Sequence, residues 1–184
     1  MSLPAASLSA QMISFVLLIT ALVLLVGPWM NRKPLAVALS LLLWIHAFRY
    51  VALQIFSAQR FGFAISDALA SEIAWGDVAA TLLAIAGLWL LHFRSPVAKV
   101  VAWVLVIESV IDLANATVGG IRENALETAT GVSWLILSFY VPALWVSTGL
   151  MAWLLVLRRG QALTDQPANT SMRTLASDLQ PKEA

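Results

Sequence analysis

No cysteine occurs in the 184 residues, which excludes disulfides, thiolate metal sites and thiol catalysis together. Charge is scarce as well. Asp, Glu, Lys and Arg make up 11% of the chain, against roughly 25% in a soluble domain. The net charge of +1 leaves no bulk field for steering polyanions, so nucleic acid is not an expected partner. Gly-rich phosphate loops and a convincing Ser/His nucleophile pair are both missing. What the chain has in abundance is apolar surface. Hydrophobic residues form 60% of it and the mean hydropathy is +0.85, a composition that belongs in a lipid bilayer rather than in water.

A membrane helix needs roughly 20 mostly apolar residues. Five stretches qualify, at about 11–30, 34–57, 71–93, 97–117 and 131–157. The expected fold is therefore all-α, a polytopic bundle of five transmembrane helices occupying residues 1–159, followed by a polar tail over 160–184. Pro34 and the Arg94-Ser95-Pro96 turn open new helices, and Gly119-Gly120 is read as the end of the fourth. Arg32, Lys33, Arg94, Lys99, Arg158, Arg159, Arg173 and Lys182 fall on one side of the membrane, Arg60 and Arg122 on the other. That bias puts the N-terminus outside and the tail in the cytoplasm, with a bacterial inner (plasma) membrane as the expected setting. A cleaved signal peptide is disfavoured, because no Lys or Arg precedes the first apolar run.

The polar residues inside the spans are few and ordered. His46, Arg49 and Tyr50 share a face of the second span; Asp77 and Thr81 share one on the third. Glu108, Asp112 and Asn115 form an i, i+4, i+7 stripe on the fourth. At 1.5 Å per residue, Arg49, Asp112 and Asp77 lie about 22–24 Å from the basic ends of their helices, with His46 and Glu108 at about 16–18 Å. All five share one layer, from mid-membrane into the outer half. Ionisable groups at such depth cost at least ~2.5–3.5 kcal/mol each, so their retention calls for a reason. The layer carries one positive charge and three negative ones, a formal balance of −2. A dry site does not hold that excess, and either a proton or a cation must neutralise it. Glu108, one turn from Asp112 and with His46 as its expected neighbour, is the expected proton holder.

The leading expectation is an outward-facing intramembrane pocket that binds or conducts a proton, a cation or a small cationic solute. Its candidate residues are His46, Arg49, Tyr50, Asp77, Glu108, Asp112 and Asn115, with Trp44 and Trp145 as a floor that stacks on a ligand. The other six tryptophans fit the two interfacial belts. An alternative is a non-catalytic accessory subunit or homo-oligomer that docks through its first helix, whose interior has only Ser14 and Thr20 as polar groups. A third is an intramembrane acid–base enzyme acting on a lipid-like substrate. No cofactor is expected. Bis-histidine haem fails because His46 and His92 differ in depth by roughly 15 Å. One imidazole among carboxylates lacks a metal-site spacing, and no lysine lies deep enough for a retinal Schiff base.

Overall fold

The computed structural model describes residues 2–161 and 163, so the expected tail over 160–184 lies almost wholly outside the described residues. Every regular element is helical, and no strand occurs among the described residues. The order is α1 (Leu3–Asn31), α2 (Leu35–Arg60), α3 (Asp67–His92), α4 (Val97–Arg122), a short α5 (Ala125–Thr128) and α6 (Gly131–Leu157). Helices α1, α2, α3 and α6 are each long and apolar enough to cross a membrane. Helix α4 equals α3 in length, at 26 residues, and carries the acidic stripe.

Two boundaries differ from the sequence expectation. Helix α1 begins at Leu3, because Pro4 suits a first helical turn, where its missing N–H is no loss. Helix α4 runs through Gly119 and Gly120 to Arg122, and the chain reverses at Asn124 in a left-handed conformation (φ 52°). Gly119 is a packing glycine rather than a terminator. A Cβ there would stand 2.4 Å from Leu69 Cδ1 of α3.

Helix α2 changes winding along its length. Over Leu35–Ala47 it buries Leu35, Ala38, Leu39, Leu42, Leu43 and His46, the i, i+3, i+4 rhythm of an α-helix. Over Phe48–Gln54 it tightens to a 3₁₀ helix, in which residues three apart lie on one line. Arg49, Ala52 and Ile55 are accordingly the buried residues there. Helix α3 lies between α2 and α4 and meets them with a stripe of small residues, Ala70, Ala74, Ala80, Ala84 and Gly87, which lets the backbones approach closely. Helix α6 completes the group against α2 and α4, and α1 packs on the outside of α6.

Helices α1 and α6 share a device. Each makes a π turn, Leu22–Val26 and Ile136–Tyr140, just before Pro28 and Pro142. The Gly27 N–H reaches Leu22 O and the Val141 N–H reaches Ile136 O, which accommodates the proline rings without breaking the helix. Nor is α1 bare on its inner side. Ser7 donates to Leu3 O at 3.0 Å, with Leu126 O a longer alternative at 3.4 Å, and accepts from Trp134 Nε1 at 3.0 Å, while Gln11 Nε2 donates to Leu137 O at 3.1 Å. Both lie at or before the expected start of the span, where the sequence reading did not look.

The two ends of the bundle are fastened differently. At the basic end Arg158 donates to the carbonyls of Met30 and Lys33, at and just beyond the end of α1. At the other end Glu123 takes both the N–H and the Oγ–H of Ser66, each at 2.6 Å, while Ser66 caps α3 by accepting from Leu69 N–H. The Ser66 hydroxyl and, after it, the Ser66 amide hold the Glu123 carboxyl below the usual carboxylate range. A carboxyl depressed in the folded state stabilises above its ordinary value and loses that contribution as pH falls through the depressed one. The Ser66 amide is therefore expected to keep its hydrogen-exchange protection, corrected for intrinsic rate, from neutrality down through the usual carboxylate range, and to lose it in stronger acid. In Glu123→Gln the protection should be weaker and insensitive to acid; unchanged protection in that variant would mean that the latch carries no weight.

Candidate ion cluster and chamber

Arg49 is the largest fully buried side chain in the molecule, with no exposed surface. The 3₁₀ stretch turns it toward α3 and α4, and each of its nitrogens meets a partner there. Nε donates to Asp77 Oδ1 at 2.5 Å, Nη1 to Ser109 Oγ at 2.8 Å and Nη2 to Asp112 Oδ2. Glu108 Oε2 stands 3.7 Å from Nη1 and accepts from Ser109 at 3.3 Å. A guanidinium presents five donors in a planar fork, and helices on two sides are required to occupy it. The i, i+4 spacing of Glu108 and Asp112 brackets Ser109 on the face that α4 offers.

Gly76 completes the arrangement. A Cβ on it would fall 1.8 Å from Asp112 Oδ1 and 2.5 Å from Asp112 Cγ. The Asp112 carboxylate thus rests directly on the α3 backbone, in a space that only glycine leaves free. The sequence placed Asp77 inside the membrane but gave no sign that the residue before it seats a carboxylate from another helix.

Two spaces adjoin the cluster. Toward the acidic end lies a chamber of about 230 Å³ with Asp77 and Asp112 in its wall. Its other walls are mainly aliphatic and aromatic, among them Ile55, Leu69, Leu113, Leu137 and Leu144, with Tyr140 at the side. On the opposite side of Asp112, an open groove between α3 and α4 is lined by Glu72, Gly76, Glu108, Asp112 and Asn115. Asp112 faces both. Toward the basic end lies a packed core in which Leu39, Leu43, Leu105, Met151 and Leu154 have no exposed surface.

The expected site residues divide accordingly. Arg49, Asp77, Glu108 and Asp112 come together, and Asn115 lies exposed at the groove. His46 is not beside Glu108. It is fully buried against α6, with Nε2 3.3 Å from Ser147 Oγ and Nδ1 without a hydrogen-bond partner among the described residues. His46 and Arg49 both lie on the buried side of α2, but that side meets two neighbours, and His46 reaches α6 while Arg49 reaches α3 and α4. Trp44 and Tyr50 are half exposed, each in tilted contact with Phe48 on the outside of α2. Trp145 lines a cleft between α1 and α6 with Pro28 and Trp153. Neither tryptophan floors the cluster. Not among the expected site residues are Ser109, a polar residue of the fourth span, and Gly76, both at the arginine cluster, and Tyr140, whose hydroxyl donates to Ile45 O at 3.2 Å. Among the described residues no group of three or more His, Cys, Asp or Glu is placed to hold a metal ion.

The family model described as Domain of unknown function (DUF8737) matches residues 6–156, and the chain belongs to that family. No curated protein and no solved structure matches it.

Gly76→Ala should push Asp112 off Arg49 and forfeit one charged hydrogen bond, about 1.5–3 kcal/mol of stability in detergent unfolding. In an Asp112→Ala background the same substitution should become neutral or stabilising, since alanine exceeds glycine in helix propensity by about 1 kcal/mol. Equal costs in both backgrounds would show that Gly76 acts elsewhere than on Asp112.

Proposed function

We propose that this member of the DUF8737 family is a five-span protein of an inner (plasma) membrane. Its buried cluster takes up a proton or a cation from the side opposite the basic end. The observation that carries this reading is the stoichiometry around Arg49: three carboxylates converge on one guanidinium, and two of them border a chamber. One carboxylate would neutralise Arg49. The second and third leave a formal excess of −2, which a low-dielectric site holds only with protons or a cation bound. Binding fits better than open conduction, because the leucine and methionine core closes the basic half.

The fifth crossing is supported by α4 being as long as α3 and packed against α3 and α6. The orientation, N-terminus outside and C-terminus cytoplasmic, rests on Arg32, Lys33, Arg94, Lys99, Arg158 and Arg159 at one end against Arg60 and Arg122 at the other. The accessory-subunit alternative draws on the exposed apolar side of α1, which lipid covers equally well. The acid–base enzyme alternative, with a carboxylate or His46 as the acid or base, draws on the same cluster, but His46 stands at Ser147 rather than in the chamber wall.

Because the chain is free of cysteine, single-cysteine labelling is clean. Glu127→Cys should react with a membrane-impermeant reagent from outside and Arg94→Cys should not; the reverse pattern overturns the orientation. For uptake, purified protein in weakly buffered detergent should release protons when Na⁺, K⁺ or ammonium is added. Asp112→Asn should remove at least half of that release. No release with any of the three cations, together with no protonated-carboxyl infrared band lost in Glu108→Gln, would refute the cluster as a proton or cation site.

A further inference from the structure

The chamber is larger and less polar than uptake of a bare proton or metal ion requires. Its volume of about 230 Å³ is below the roughly 300–1,000 Å³ typical of drug-sized ligands, yet ample for a small organic body. Water fills it poorly, because a buried water needs two to four polar partners. The wall is mostly apolar; Gln11, Gln54, Thr117, Ser133 and Tyr140 are its neutral polar residues, and Asp77 and Asp112 its charged ones. Asp77 gives Arg49 only its Oδ1, and Asp112 only its Oδ2. The second oxygen of each accepts no hydrogen bond from the described residues; that of Asp112 rests on the Gly76 backbone at the groove, which leaves Asp77 Oδ2 as the unmet acceptor. Both carboxylates line the chamber, opposite aliphatic residues contributed by α2, α3, α4 and α6. An aliphatic cage with a free anionic acceptor at one wall is complementary to a particular kind of molecule.

We infer that the chamber binds a compact protonated amine with an apolar body, its ammonium hydrogen-bonded to the free oxygen of Asp77 and paired by charge with Asp112. This rests on the reading of the cluster as a cation site and names the class of cation. A primary ammonium suits this wall better than a quaternary one, because it brings N–H donors to an oxygen that lacks one. The ligand's single positive charge halves the formal excess of −2, and its body fills a space that neither water nor inorganic ion can use. A neutral molecule of the same shape fills the space but leaves the charge unmet, and it must also bury an unmatched polar group.

Calorimetric titration of the full chain in nanodiscs, with 1-adamantylammonium, 1-adamantanol and tetramethylammonium, tests the assignment. The amine should bind at least about tenfold more tightly than either comparator, the difference expected for one charge-assisted hydrogen bond. Asp77→Asn should weaken it about tenfold or more. Leu137→Phe, which fills the chamber and leaves the carboxylates in place, should weaken amine binding while sparing the release of protons by Na⁺, K⁺ or ammonium. Amine binding unaffected by Leu137→Phe, or equal affinity for the amine and 1-adamantanol, would overturn the inference in favour of an apolar occupant such as a lipid tail. Proton release by inorganic cations without amine binding would overturn the amine class alone and leave the cation site standing. Failure of both assays would bring down both readings.

Discussion

A guanidinium with no exposed surface in a chain of this apolarity must be matched by charge and hydrogen bonds, and the rest of the bundle is arranged around meeting that demand. Arg49 is neutralised from two helices at once, Asp77 on α3 and Asp112 on α4, with Ser109 between them. Removing one partner of a buried ion pair typically costs about 3–5 kcal/mol, because the other charge is left uncompensated. The three helices therefore cannot slide past one another by even one turn. Their register is set by the arginine, and the small-residue stripe of α3 and the glycine under Asp112 are the steric conditions for reaching it.

The same constraint explains the winding of α2. His46 and Arg49, three residues apart, both lie on the buried side of α2, as the sequence spacing suggests, yet His46 meets Ser147 on α6 while Arg49 meets α3 and α4. A 3₁₀ stretch has poorer hydrogen-bond geometry than an α-helix and persists where something holds it. Here the three-point grip on Arg49 supplies the hold, and the Tyr140 hydroxyl satisfies the Ile45 carbonyl close to the change of winding.

Much of this was legible in the residues and some was not. The all-helical class, the helix cores and the shared depth of Arg49, Asp77, Glu108 and Asp112 follow from apolar run length and the 3.6-residue period. These signals are local and need no partner. Contacts between helices are not local. The Glu108 stripe is visible on α4, but which neighbour it meets depends on the winding of α2, and 3₁₀ character has no signal in the run Phe48–Gln54. Trp44 and Trp145 were assigned to the cluster by depth alone. Depth says nothing of azimuth, and both face away from it. Gly76 shows the limit most plainly: its role is to be absent where another helix needs room, and absence leaves no mark on the sequence around it.

The asymmetry between the two halves bears on why three carboxylates are present. A purely structural pair would be indifferent to what lies beyond it, with tight packing on both sides. Here the packing is tight only toward the basic end, where the leucines and Met151 close on the cluster. Toward the acidic end the packing stops short, and the space left over is bordered by Asp77 and Asp112. Glu108, the acid farthest from Arg49 in the cluster, opens instead on the groove between α3 and α4. Asp112 touches both spaces and is fixed from two directions, by Arg49 and by the bare backbone of Gly76. Asp112 is therefore the one carboxylate of the cluster that borders both spaces, and packing alone does not require that position.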